Sequence, residues 1–370
     1  LYSHQYDAYD LSGNPTKFIM AKAAGVLNFD YDVKGRLKST GTDGDRWKEQ
    51  IKSYDSVGNI LEILLQDAQG EVSSTYTYDD LYQITSESGP ADHSYTYDSH
   101  YNRRTKNGKL HILNPLNQLI DDGMSLYSYD RNGNMRQIES GEQTSEFAYD
   151  AMDRLVSFIK EGQKVLYRYD ENNRRLSKTF HSLDANKQWK ELKTVRYLYQ
   201  GQNEIGSVDK AGKINELRVL GIGKGAEIGA AVALEIDHKV YVPLHDHIGN
   251  VACLLDSTTG DVAETYRYST FGEEQFDGKK AISPWRFSSK RVDEESGFVY
   301  FGRRYYSAEI GRWVTPDPLG REGGSNLYAY VMNSPLTHFD LYGLFGMDSI
   351  TNIFANLVGR TFERGVKLFS

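Results

Sequence analysis

Tyr127-Ser128-Tyr129-Asp130-Arg131-Asn132-Gly133-Asn134-Met135 is the stretch on which the reading of this chain turns. Tyr127 and Tyr129 stand two residues apart, the period that puts both rings on one face of an extended strand. Asp130 has the side chain that caps its own turn, and Gly133 and Asn134 are residue types that tolerate positive φ. Met135 then opens an apolar return. The nine residues read as a strand, a tight turn and a returning strand.

The same unit recurs outward from this copy. Tyr-Asp pairs stand at Tyr9-Asp10, Tyr31-Asp32, Tyr54-Asp55, Tyr78-Asp79, Tyr97-Asp98, Tyr149-Asp150 and Tyr169-Asp170, 19 to 24 residues apart except for one gap of 32 between Asp98 and Asp130. That is a repeat of about twenty residues with an insertion. In some copies Asn102, Asp153 or Asn173 takes the place expected of glycine, each followed by Arg; Asn and Asp are the next most tolerant residues there. A lone hairpin is marginal in water, so the units must pair sideways into a long antiparallel sheet whose tyrosines pack against cross-strand neighbours. The tyrosines are therefore read as structural, in preference to ligand-stacking.

Composition agrees. The 370 residues hold 27 Tyr, 15 Phe and 4 Trp, an aromatic content foreign to disordered chains. A net charge of −8 is the opposite of a phosphate-backbone binder's basic footprint and argues against nucleic acid as partner of this wall. No apolar run is long enough to span a bilayer, and no signal-like start is present. The chain starts at Leu1 without Met, which reads as a fragment or processed product. Cys253 is the single cysteine; its Val-Ala-Cys-Leu-Leu setting suggests an inert core thiol.

Tyr-Asp-x-x-Gly-Asn/Arg units of this length resemble the YD repeats of the Rhs and teneurin families. The match sharpens over residues 241–344: Pro243-Leu-His-Asp-His-Ile-Gly-Asn, Phe271-Gly272-Glu, Pro284-Trp-Arg-Phe-Ser288, Gly302-Arg-Arg-Tyr-Tyr306, Gly311-Arg-Trp313, Asp317-Pro-Leu-Gly320, Gly323-Gly-Ser-Asn-Leu-Tyr-Ala-Tyr330 and Asp340-Leu-Tyr-Gly-Leu344 resemble the Rhs repeat-associated core domain motif for motif. The resemblance, which extends to the C component of Tc toxins, implies an all-β fold: antiparallel YD hairpins forming a long spiralling β-sheet shell, or cocoon. The expected organisation is a YD-repeat shell over 1–219, the core domain over 220–344, and the start of a variable, truncated toxin region over 345–370. Ile350, Ile353, Phe354, Leu357, Val358 and Phe362 in that last part have helical spacing and predict a short amphipathic helix.

In such families the core domain is an intramolecular aspartyl protease. Carried over residue by residue, its carboxylates fall on Asp317 and Asp340 and its cut between Leu344 and Phe345. Two carboxylates brought close share a proton, so one can activate water while the other protonates the leaving group. The turn chemistry of Asp-Pro and of Asp340 before Gly343 offers a plainer reading, in which both merely start turns. Leu341 stands where the family usually has Pro. Arg312 could hold a carboxylate ionised or serve as a cross-strand partner.

The resemblance further implies a polymorphic toxin that is secreted or delivered to target cells. It implies as partners the chain's own C-terminal toxin segment as cargo, upstream repeats or a shell-completing partner, a secretion or delivery apparatus and an immunity protein; no cofactor is expected. The rival reading is a non-catalytic cell-surface adhesion or carbohydrate-binding module, which would expose glycan-stacking tyrosines. Weaker signals remain. Gly221-Ile-Gly223-Lys-Gly225 lacks the ending of a phosphate loop. His245, Asp246 and His247 could ligate a metal only with further ligands, and turn or strand-edge bonding is favoured for them.

Overall fold

The computed structural model describes residues 3–275 and 280–344 together with the strand Asp348–Ser349. Its described residues form antiparallel sheet with four short 3-10 turns. Eleven strands from Gln5–Tyr9 to Lys109–Leu110 make one sheet, and fifteen from Ile112–Leu113 to Val262–Thr265 make a second, each strand beside its sequence neighbours. A four-stranded meander follows, Arg291–Asp293, Phe298–Tyr300, Tyr305–Ser307 and Arg312–Trp313. His338–Phe339 pairs with Asp348–Ser349. The helix expected over Ile350–Phe362 lies outside the described residues.

The turns are built by the aspartates. Asp130 Oδ1 accepts the backbone N–H groups of Asn132 and Asn134, both at 2.9 Å, and Oδ2 accepts Nδ2 of Asn134 at 3.0 Å. Backbone bonds from Asp130 N to Asn134 O and from Gly133 N to Asp130 O close the turn. Gly133 has φ +92°, the left-handed conformation that favours glycine. Asp10, Asp32, Asp55, Asp79, Asp98, Asp150 and Asp170 repeat the arrangement, with Asn, Gln or Arg supplying the fourth-residue side chain. The 32-residue gap hides a further copy: Asn114 Oδ1 accepts the N–H groups of Leu116 and Gln118, an amide standing in for the carboxylate.

One assignment is corrected. In the Asp98 copy the glycine position belongs to Tyr101, at φ +60°, while Asn102 is the fourth residue whose N–H and side chain bond Asp98. The carboxylate clamp holds even a tyrosine in the left-handed region, as it does Tyr82 at φ +61°. Asp153 and Asn173 occupy the glycine place as expected, at φ +57° and +60°.

The repeat tyrosines do more than form a ladder. In six of the eight Tyr-Asp units the hydroxyl donates to the carbonyl that follows the turn of a preceding unit, among them Tyr54 to Leu37 O (2.6 Å), Tyr78 to Ile60 O (2.7 Å), Tyr149 to Met135 O (2.9 Å) and Tyr169 to Leu155 O (2.8 Å). The series continues past residue 180 with Tyr199 to Arg175 O and Tyr268 to Val251 O. Tyr268 carries the same bond into the stretch assigned to the core domain.

The two sheets share their cores with residues 266–344. Tyr127, Met135, Phe147, Leu155, Phe158 and Tyr167 of the wall pack on Phe298, Tyr300, Tyr305, Ile310 and Val314. Ile84 and Tyr95 of the first sheet pack on Phe271 and Leu336. Met20, Leu27 and Trp47 meet Val242, Leu244, Cys253 and Leu255, so the two sheets also face each other directly. Buried Arg175 adds an ion pair across the wall, Nη1 to Asp293 Oδ2 at 2.5 Å, with Lys178 Nζ on the other oxygen at 3.0 Å. Beside this packed region lies a cavity of about 1120 Å³, lined among others by Tyr6, Phe18, Phe29, Tyr54, His245 and Phe339.

Two outcomes follow for the wall. Tyr149→Phe removes one hydroxyl bond from a ring that otherwise stays packed and is expected to cost about 1 kcal/mol in denaturant unfolding. Asp55→Ala, which strips partners from the N–H groups of Val57, Gly58 and Asn59, should cost more, about 1–3 kcal/mol by the same measurement.

Candidate functional site

The segment before Asp317 lies along residues 327–329: Trp313 N donates to Tyr328 O and Asp317 N to Leu327 O, each at 3.0 Å. Asp317 then turns the chain. Its Oδ1 accepts Leu319 N at 2.9 Å, and its carbonyl accepts Gly320 N. Gly323 sits against the carboxylate, where a Cβ would stand 2.7 Å from Asp317 Cγ. Asp340 leaves the strand His338–Phe339 and makes the same kind of turn. Oδ1 accepts the N–H groups of Tyr342 (3.1 Å), Gly343 (2.8 Å) and Leu344 (2.9 Å), with Gly343 at φ +74°. Both aspartates are buried.

The turns leave one oxygen of each carboxylate free of its own loop, and both oxygens go to one nitrogen. Arg304 Nη2 lies 2.8 Å from Asp317 Oδ2 and 3.3 Å from Asp340 Oδ2. Arg304 is itself fixed: its guanidinium stacks 4.1 Å over the Trp313 ring, and Nε donates to Gly343 O at 2.6 Å. The fold therefore brings together the two carboxylates that stand 23 residues apart in the chain. Instead of a proton shared directly between them, a guanidinium stands at both. No hydrogen bond joins the two carboxylates among the described residues.

Burial pushes the Asp340 carboxyl up to about 6, against the opposing pull of Arg304 and the three N–H bonds. The same burial pulls the Arg304 guanidinium down, while Asp340 and Asp317 hold its charge in place. Leu344 is half-buried beside this group; Phe345 lies outside the described residues. Leu341 packs its side chain on Gly225 and with Ile228, Ile248 and Phe339. The Leu341 N–H is not among the donors to Asp340, so the turn is built from residues on either side of the departure from the family's Pro.

Arg304 carried no local signal in the sequence. It stands in the Gly302-Arg-Arg-Tyr305 motif, but nothing near it says that it will meet Asp317 and Asp340. Arg312, the arginine weighed for that part, is elsewhere: Nη2 donates to Asn117 O and Nη1 to Asn102 Oδ1 at 3.3 Å, tying two wall turns.

The weaker signals resolve into structure. Asp246 builds a repeat-type turn, its Oδ1 taking Ile248, Gly249 and Asn250 N and its Oδ2 taking Asn250 Nδ2. His247 gives its N–H to Glu49 Oε2 at 2.7 Å and sets Nδ1 3.1 Å from Oε1, a strand-edge clasp between the sheets. The ligand atoms of Glu49, Asp246 and His247 lie within 4.8 Å of one another, but these bonds occupy both Asp246 oxygens. Gly221–Gly229 serves close packing: a Cβ on Gly223 would stand 2.6 Å from Ala230 Cβ, and one on Gly229 3.4 Å from Gly249 Cα. Burial raises the Cys253 thiol to about 12, as befits an inert core group.

Comparison with known proteins agrees with this architecture. The family described as "Teneurin YD-shell" matches residues 2–336. The chain is 30% identical to tRNA nuclease WapA of Bacillus subtilis (strain 168) over 91% of its own length and 14% of that protein. It is 26% identical to toxin protein Tse5 of Pseudomonas aeruginosa, covering 86% of the chain and 25% of that protein. Among solved structures, the Photorhabdus luminescens Tc holotoxin pore superposes with a TM-score of 0.69 at 21% identity, over 92% of this chain and 19% of that one. TcdB2-TccC3 without its hypervariable C-terminal region gives 0.60 at 20% identity, over 91% and 19%. The chain thus spans a quarter or less of each of these relatives. With its clasped repeats, facing sheets and internal core, the chain belongs to the teneurin YD-shell family as an Rhs-type YD-shell protein.

Proposed function

We propose that this chain is the shell and releasing part of an Rhs-type polymorphic toxin, exported or delivered to target cells, which encloses a C-terminal toxin and cuts it free between Leu344 and Phe345. The observation that carries the reading is the convergence of Asp317 and Asp340 on Arg304, at the loop that ends on Leu344. Relatives named as toxins, Tse5 among them, support the same role. The cavity favours it too, because Leu336–Phe339, which lead into Asp340, form part of its lining. The adhesion reading has little to stand on: Tyr9 and Tyr82 are the exposed tyrosines among the described residues, too few for a stacking surface. Upstream repeats, a delivery apparatus and an immunity protein are the partners this reading requires.

The chemistry assigned here divides one hydrolysis between the two carboxylates. Asp317, at the shorter distance from Arg304, is the carboxylate that takes a proton from water as the water oxygen adds to the Leu344 carbonyl carbon. Asp340, whose burial favours its acid form, gives its proton to the Phe345 nitrogen as the C–N bond breaks. The products are a Leu344 carboxylate and a Phe345 amine; Asp317 loses its proton to solvent and Asp340 regains one. Arg304 steadies the charge that develops between the two. Because the scissile bond is tethered to the loop that holds the acid, attack is intramolecular and needs no encounter.

Intact mass spectrometry is expected to show the 26-residue segment 345–370 separated from the main chain in the unmodified protein and retained in Asp317→Asn and in Asp340→Asn. A single uncut mass for the unmodified chain, or undiminished cutting in both variants, contradicts the assignment. The pH dependence has a defined sign: Asp340 is a proton donor below its value of about 6 and is ionised above it, so the cutting rate is expected to fall as pH rises through 6. Time courses at pH 5 and pH 8 decide this.

A further inference from the structure

A second buried cation touches the same loop. Lys290 is 1% exposed, and its Nζ donates to the Leu341 carbonyl at 2.5 Å while pairing with Glu227 Oε1 at 3.0 Å. The rings of Phe301 and Tyr342 stand 5.6 and 5.4 Å from it. Glu227 also faces Arg218 Nη2 at 3.6 Å, and Arg218 is anchored to Glu204 O and Ser289 O. Burying an ammonium is costly unless it is paired and bonded, and a core of this size could have been filled by an apolar side chain. What the lysine adds is a fixed donor aimed at the residue after Asp340.

That donor completes a series. Leu341 O accepts from Lys290 Nζ, Tyr342 O from Arg303 N at 2.9 Å, and Gly343 O from Arg304 Nε at 2.6 Å. Asp340 meanwhile takes the N–H groups of Tyr342, Gly343 and Leu344. Three successive carbonyls and three successive amides are thus held up to the residue before the cut. We propose that Lys290, locked by Glu227, is a positioning residue for the 340–344 loop: through the Leu341 carbonyl it fixes where Leu344 is presented to Asp317 and Asp340. The proposal rests on the self-cutting reading above.

The charged groups that face Lys290 are Glu227, Arg218 and Asp340. A cation near Asp340 favours its ionised form, so removing it should raise the pH at which cutting declines. The test uses the full chain, followed by intact mass from pH 5 to 8. Lys290→Met removes the cation and its donor at similar volume and leaves Glu227 paired with Arg218. It is expected to slow cutting by about tenfold or more, because small misplacements of a reacting bond are costly, and to move the decline to higher pH. Lys290→Arg keeps the charge and a donor, and should restore most of the rate and the unmodified pH dependence. Equal losses in both variants with no pH shift would mark Lys290 as a packing residue and overturn the proposal, as would full-rate cutting in Lys290→Met. An unmodified chain that does not cut overturns the self-cutting reading and this inference with it; one that cuts while the variants behave as the unmodified chain overturns this inference alone.

Discussion

A carboxylate that caps its own turn is the interaction on which this structure depends. Free backbone N–H groups at a tight turn need acceptors, and an aspartate at the first position supplies two oxygens where they are needed. In Asp55, Oδ1 takes the N–H groups of Val57, Gly58 and Asn59, and Oδ2 takes the Asn59 side chain. Repeated through the wall, this device sets the hairpin length and so the register in which Tyr31, Tyr54, Tyr78, Tyr97, Tyr149 and Tyr169 reach the carbonyl of a preceding unit. Without the turn, that carbonyl would not be in place.

The candidate site is the same device with one partner exchanged. Asp340 caps Tyr342, Gly343 and Leu344 as a repeat aspartate would, but its fourth residue is Leu344, which has no polar side chain to occupy Oδ2. That oxygen goes to Arg304 instead. Asp317 likewise starts a turn and turns its second oxygen to Arg304. The plain turn reading of these two aspartates and the chemical one are therefore not rivals. Turn capping fixes each carboxylate, and the missing fourth-residue partner leaves it available.

Ion pairs sunk between wall and core do the remaining positioning. Arg175 with Asp293, Arg291 with Glu204 and Glu216, and Arg267 with Asp67 join strands of the wall to the segment that carries the site. Such pairs add little net stability once desolvation is counted, but breaking one leaves an uncompensated buried charge. They act as register marks: a core shifted along the wall would strand several charges at once. Lys290 and Glu227 extend the same logic to the loop that ends on Leu344.

Turn aspartates, strand period and tyrosine spacing are local properties of a repeating unit, and they could be read from residues 1–180 without coordinates. What escaped there were substitutions that keep the geometry with a different residue: Asn114 for Asp in the long gap, and Tyr101 in the glycine's place beside Asn102. Asp317 and Asp340 were nameable by resemblance, and their turn-capping by local chemistry. Their meeting was decided by tertiary structure alone, because it depends on Arg304, which lies 13 residues from one and 36 from the other and reaches both only when the meander and the 327–329 segment fold against each other. A local hydrogen bond is specified by spacing along the chain, whereas a contact across the core is specified by how the whole wall curls, and no short stretch of sequence carries that.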